Sequence, residues 1–175
     1  QKSRKPFLTK LDFARARQLS EDQLRSPTGQ FREDKPIEVP LRNVPIATHF
    51  RWPNAEIPYI LSTLYNDNER AVIAHAMDEY HKKTCIRFVP KAAKDKDYIE
   101  LTPKDGKNSY CYSYVGRQGG HQYIKMYGEC IRAAAMIHEL GHVAGFAHEH
   151  QRPDRDDHIK VLVENIQESM HINHK

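Results

Sequence analysis

A chain of 175 residues suits one globular domain plus an extension, and 39% hydrophobic residues is enough to build a core, which excludes wholesale disorder. The 27 basic and 23 acidic side chains leave a formal charge of only +4. They alternate in sign, as in Lys94-Asp95-Lys96-Asp97 and Asp154-Arg155-Asp156-Asp157, which marks solvated faces and excludes the basic stripe of a nucleic-acid binder.

No apolar run approaches the length of a membrane span. Gln1 is not a start residue, and a secretory signal, if one preceded it, is not in view. The first fifty residues hold Pro6, Pro27, Pro36, Pro40 and Pro45, half of the ten prolines, and no cysteine. Ser20 followed by Gln23 reads as a capping box for a short helical turn over 19–25. Residues 36–45 read as extended, because a residue before proline avoids the helical region. This stretch buries little by itself and is a linker, a tail, or an arm lying on something else.

The globular part begins near Arg51-Trp52-Pro53. Residues 57–61 read as a strand, with Pro58 placing it at an edge or a strand start. Residues 66–83 form the best early helix, with an Asn/Asp cap region and apolar positions from Ala71 to Tyr80 at helical spacing. Strands follow at 86–89 and 98–101. The pair 110–115 and 121–126 brackets a glycine-rich turn at 116–120 and reads as a hairpin. A second helix spans 131–143. The order strand, helix, several strands, helix implies an α/β (α+β) layered fold with a mixed sheet.

That second helix carries His138-Glu139-Leu140-Gly141-His142, followed by Gly145 and His148. Histidines four apart project from one helix face, so both imidazoles reach one ion. Gly145 stands where the helix must stop, and glycine takes positive φ at little cost, so the chain can turn and bring His148 back. Three neutral nitrogens suit zinc and leave one coordination position for water. Glu139 points elsewhere around the helix, placed to take a proton from that water and deliver it to a leaving amine. Among 11 histidines an isolated pair at this spacing would mean little; five residues at fixed offsets on an apolar helix mean more.

The pattern H-E-x-x-H-x-x-G-x-x-H is that of the metzincins. Its continuation, His148-Glu149-His150-Gln151-Arg152-Pro153-Asp154-Arg155-Asp156, resembles the astacin family of zinc endopeptidases. So do Arg51-Trp52-Pro53, Ile57-Pro58-Tyr59, Lys83-Thr84-Cys85-Ile86-Arg87-Phe88 and Cys111-Tyr112-Ser113-Tyr114-Val115-Gly116. The resemblance covers roughly residues 51–165. It implies a metzincin-like N-terminal subdomain with a mixed twisted sheet, a backing helix and an active-site helix. It also implies one zinc per chain held by His138, His142 and His148, with Glu139 as general base.

The same resemblance implies a Cys111–Cys130 disulfide, and a partner for Cys85 in a C-terminal subdomain that lies beyond Lys175 together with the Met-turn. Ser169-Met170-His171 only imitates that turn; His171 and His174 read as surface residues. Residues 1–42 resemble a pro-segment (boundary 42–50, activation near Arg42-Asn43), and 43–175 the catalytic domain. Asp34 in Phe31-Arg32-Glu33-Asp34 is the candidate latency ligand on the zinc, with Asp12 behind it, and Glu149 the anchor for the mature amino terminus. Protein or peptide substrates, the chain's own pro-segment in the cleft, and secretion follow. The other reading, from another class, is a non-catalytic zinc-stabilised binding module. Arg87, Arg117 and Lys125 read as solvated charge, and substrate preference is not legible.

Overall fold

Alternation along β1 (Glu56–Leu61) sends Ile57, Tyr59 and Leu61 inward, and the same period buries Ile99 and Leu101 on β3 (Tyr98–Thr102) and Ile124 on β4 (His121–Lys125). With β2 (Arg87–Pro90) these strands form a sheet in the order β2-β1-β3-β4, every pair parallel. The computed structural model describes residues 4–24, 48–103 and 111–166. No described helix is long and apolar enough to cross a membrane.

Two long helices share one core with the sheet. Helix α3 (Asp67–Lys83) contributes Ile73, Ala74, Ala76 and Met77, and α4 (Ala133–Ala144) contributes Ala135, Met136, Leu140 and Val143. The start of α3 is fixed by a reciprocal cap: Asn68 and Glu69 amides donate to Asn66 Oδ1 at 2.9 and 3.0 Å, and the Asn66 amide donates to Glu69 Oε2 at 2.7 Å. Ion pairs Asp78–Lys82 and Glu79–Lys83 support its exposed face one turn apart.

Pro58 lies in a strand flanked on both sides, not at the sheet edge. The register explains the tolerance: pairing with β3 starts at Tyr59↔Ile99, so at Pro58 the strand is paired with β2 alone, opposite Val89.

The expected hairpin is reduced to a single antiparallel bridge, in which the Tyr112 amide donates to Lys125 O at 3.1 Å and the Lys125 amide to Tyr112 O at 2.8 Å. This bridge is isolated, and the four described strands of the sheet are all parallel. The chain around Tyr112 is drawn off toward α4 instead. Cys111 is joined to Cys130, and the Gly116 amide donates to His142 O at 2.8 Å. Gly116 has φ +70°, and an added Cβ would stand 2.7 Å from Phe50 O, so the approach needs glycine. Cys85 is exposed and carries no disulfide among the described residues.

Of the three readings of the N-terminal stretch, residues 4–24 fit the arm: they are laid on α3. Helix α1 (Lys10–Ala16) starts at Thr9, whose amide and hydroxyl donate to Asp12 Oδ2 at 2.7 and 2.8 Å. Asp12 is only 3% exposed and receives Arg70 of α3 in a two-pronged contact, Nε to Oδ1 and Nη2 to Oδ2, both 3.1 Å. Arg70 also donates to the carbonyls of Lys5 and Phe7. The Leu61 amide donates to Pro6 O, and Leu8 and Ala16 join the core. Further on, α2 (Glu21–Leu24) starts at the expected Ser20–Gln23 pair, and Arg132 donates to Asp22 O at 2.9 Å.

Asp12 is therefore not available to cap a metal; its carboxylate is the counter-ion of Arg70. Asp34, Arg42-Asn43, His171 and His174 lie outside the described residues.

Removing one partner of such a pair leaves the other charge buried and alone. Asp12→Ala is expected to cost about 3–5 kcal/mol in urea unfolding followed by Trp52 fluorescence; a loss under about 1 kcal/mol would mean that the arm does not dock this way. Burial by itself raises the Asp12 pKa, but hydrogen bonds from Arg70 and Thr9 outweigh it and hold the group below the usual carboxylate value. The sign follows: this contribution is complete above about pH 4 and is lost as pH falls through the lowered folded-state value. The Asp12→Ala penalty should shrink over that acid window.

Candidate metal centre

Ala133, Ala134 and Ala135 open α4 with the strongest helix former, and Met136, Leu140 and Val143 bury one of its faces. His138 and His142, one turn apart, leave the same side of the helix, His138 exposed and His142 buried to 4%.

The helix then has to end, and three carbonyls of its last turn find partners outside the regular helix. Phe146 and Gly145 amides donate to Gly141 O and His142 O at 3.0 and 2.8 Å, a pair of bonds that closes the terminus with Gly145 at φ +112°. The Gly116 amide adds a second bond to His142 O, and the Trp52 indole donates to Val143 O at 2.8 Å. Packing of α4 on α3 is close: Tyr80 donates to Ile137 O at 2.8 Å, and a Cβ on Gly141 would lie 3.0 Å from the Tyr80 hydroxyl.

This turn carries His148 back to the helix. Nε2 of His142 lies 3.0 Å from Nε2 of His138 and 3.1 Å from Nε2 of His148. A tetrahedral ion with nitrogen ligands at 2.0–2.1 Å requires about 3.3 Å between them, so the three nitrogens already stand at the spacing of one small cation. The tautomer agrees. His142 Nδ1–H donates to Phe146 O at 2.7 Å, which leaves the lone pair on Nε2, facing the other two rings. The three residues form a group able to hold a metal ion.

Glu139 follows His138 and is rotated roughly 100° from it around the helix. It is 2% exposed, and the buried Ser113 hydroxyl lies 2.5 Å from its Oε2 and 3.1 Å from its main-chain oxygen. Ser113 stands inside one of the segments quoted above, but nothing in its sequence setting points to a residue 26 positions away.

The histidines open onto a cleft of about 880 Å³, walled by Tyr80, Ile137, Phe146, Arg155 and Ile159. Arg87, Arg117 and Lys125 are not among its lining residues: Arg117 pairs with Asp97 at 2.6 Å and Arg87 donates to the carbonyls of Thr84 and Ile86. Glu149 borders the cleft, but its side chain is 73% exposed, and Arg152 holds its carboxylate at 2.7 Å. Arg152 also forks onto Asp154 and so holds that carboxyl below its usual range, while Arg155 donates to His150 O.

Comparison with known proteins decides what kind of centre this is. The peptidase family described as Astacin matches residues 46–175. The chain belongs to the astacin family of zinc metalloproteinases. Among astacin-related proteins it is 50% identical over 125 residues to zinc metalloproteinase nas-8 of Caenorhabditis elegans, covering 71% of this chain and 30% of that protein. It is 42% identical over 123 residues to bone morphogenetic protein 1 of Xenopus laevis, covering 70% of this chain and 17% of that protein. The chain thus spans less than a third of the length of these relatives. Among solved structures, the hatching-enzyme zinc protease high choriolytic enzyme 1 of the medaka Oryzias latipes superposes with a TM-score of 0.62 at 36% identity, over 71% of this chain and 62% of that one. The astacin match takes in the three histidines, Glu139 and both bonded cysteines; the docked arm at 4–24 lies before it.

Because the ligand nitrogens converge only in the folded chain, metal binding adds directly to stability. Zinc at 100 times its dissociation constant should stabilise the protein by about 2.7 kcal/mol, read as a chelator-reversible rise in melting temperature. His142→Ala should abolish that rise. A full zinc-dependent shift in that variant would place the ion elsewhere.

Proposed function

We propose that the chain is the catalytic part of a secreted zinc endopeptidase that hydrolyses internal peptide bonds, with Glu139 as its general base. The observation that carries this reading is the convergence of three histidine Nε2 atoms at single-ion spacing, with a buried carboxylate on the adjoining helix face. A purely structural zinc site has no use for that carboxylate.

His138, His142 and His148 would hold the zinc. A bound zinc ion supplies a Lewis acid for the scissile carbonyl and lowers the pKa of a water from about 15.7 to about 7. Glu139 accepts a proton from the attacking water as the new C–O bond forms, and returns it to the amide nitrogen as the C–N bond breaks. The products are a carboxylate and an amine, and Glu139 ends in its starting state. Phe146 O keeps the His142 ring in the orientation and tautomer that this requires.

The Cys111–Cys130 disulfide supports an oxidising, extracellular setting. The arm at 4–24 supports latency, since it is seated on the catalytic unit before any cut is made. In this reading residues 1–42 are a pro-segment passing through the cleft, with the boundary between 42 and 50, and 43–175 belong to the catalytic domain. Asp34 caps the zinc, Glu149 exchanges Arg152 for the new amino terminus after activation, and Cys85 finds its partner in the C-terminal part.

Peptide cleavage by the zinc-loaded protein, before and after trypsin, tests both halves. Glu139→Gln should lower kcat/KM by about 10²–10⁴ with zinc content unchanged. Equal cleavage by wild type and variant would overturn Glu139 as general base, and no cleavage by either would leave the non-catalytic binding module as the better account. Full activity before trypsin would remove latency.

A further inference from the structure

The buried hydroxyl of Ser113 is used by nothing described so far. We infer that Ser113 is a positioning residue for the general base: its hydroxyl holds one carboxylate oxygen of Glu139 and so aims the other at the reacting water. The inference rests on the proposed role of Glu139.

Four observations meet here. Ser113 and Glu139 are both almost fully buried, at 5% and 2% exposure. The hydroxyl lies 2.5 Å from Glu139 Oε2, in the range of a bond donated to a charged oxygen, against 3.1 Å to Glu139 O. A hydroxyl has one proton to donate, and the side-chain oxygen is the nearer of the two acceptors. Finally, the backbone on both sides of Ser113 is tied to its surroundings, including α4. Cys111 is tied to Cys130, Tyr112 is paired in both directions with Lys125, and Gly116 donates to His142 O, where a side chain would strike Phe50 O.

Glutamate reaches its task through three rotatable bonds, and the last is a broad torsion without sharp wells. A donor fixed to the scaffold removes that freedom before substrate arrives. Supporting partners of this kind are typically worth about 10–100-fold when they are lost.

The test compares Ser113→Ala, Ser113→Thr and Glu139→Gln in the zinc-loaded, trypsin-activated protein. Ser113→Ala should lower kcat by about 10–100-fold with KM within about twofold and one zinc retained. Ser113→Thr, which restores the hydroxyl, should recover most of the loss. Adding Ser113→Ala to Glu139→Gln should cost nothing further, because both act through one carboxylate. A readout independent of turnover is the Glu139 side-chain carboxyl resonance of ¹³C-glutamate-labelled, metal-free protein, identified by its loss in Glu139→Gln. It should be sharp in wild type and shifted or broadened in Ser113→Ala.

If the alanine variant does not fold, Ser113→Cys takes its place, keeping the volume while weakening the donor. Wild-type kcat in a folded, donor-less variant, or a loss of activity that only tracks zinc content, would overturn the inference and leave Glu139 in its role. Undiminished activity in Glu139→Gln would overturn the role of Glu139 on which the inference rests, while an unchanged carboxyl resonance in the donor-less variant would overturn the Ser113 contact on its own.

Discussion

The carbonyl groups in the last turn of α4 have no partners within the helix, and the way they are satisfied decides where His148 lies. Gly145 adopts a conformation that any side chain would resist, the Phe146 and Gly145 amides fold back onto Gly141 O and His142 O, Trp52 donates to Val143 O, and Gly116 adds a second bond to His142 O. The same reversal presents Phe146 O to His142 Nδ1. One helix ending therefore performs three tasks. It stops the helix, fixes the tautomer of the central ligand, and returns the third imidazole to the other two.

Around that ending the molecule is built as two kinds of attachment. The sheet and α3 hold α4 by apolar packing, which is tolerant of small adjustments and supplies most of the burial. The segment around Ser113 is held by directed bonds: a disulfide to Cys130, a bridge to β4 and an amide contact with His142 O on α4. Packing sets where the helix lies. The directed bonds set the side-chain geometry on the face where chemistry is proposed.

What could be read in advance follows from the range of each interaction. Helix α3 was legible because its cap, its period and its charged face all lie within a few residues, from Asn66 to Lys83. The strands at Ile57 and Ile99 were legible from alternation, and the metal centre from spacing, since ligands on one helix and its turn are encoded locally. The hairpin at Tyr112 is reduced because its composition is strand-like while its further partners, Cys130 and His142, lie in the turn before α4 and in α4 itself. The arm is illegible in the sequence for the same reason: Asp12 meets Arg70 across 58 positions, and a proline-rich polar stretch gives no sign of that contact. Ser113 was invisible as a partner of Glu139. A serine in a quoted motif carries no direction until the fold supplies one.

The seat of the arm has a consequence for how it would leave. While the chain is continuous, Asp12 and Leu8 face their sites at the high effective concentration of an intramolecular partner. A cut anywhere between residues 24 and 48 would change none of the contacts at Arg70, Tyr59 or Leu61. It would change only the entropy of losing them. Severance and departure are then separate events, the first set by a protease and the second by dilution, and a nicked protein would hold its own arm as a dissociable ligand.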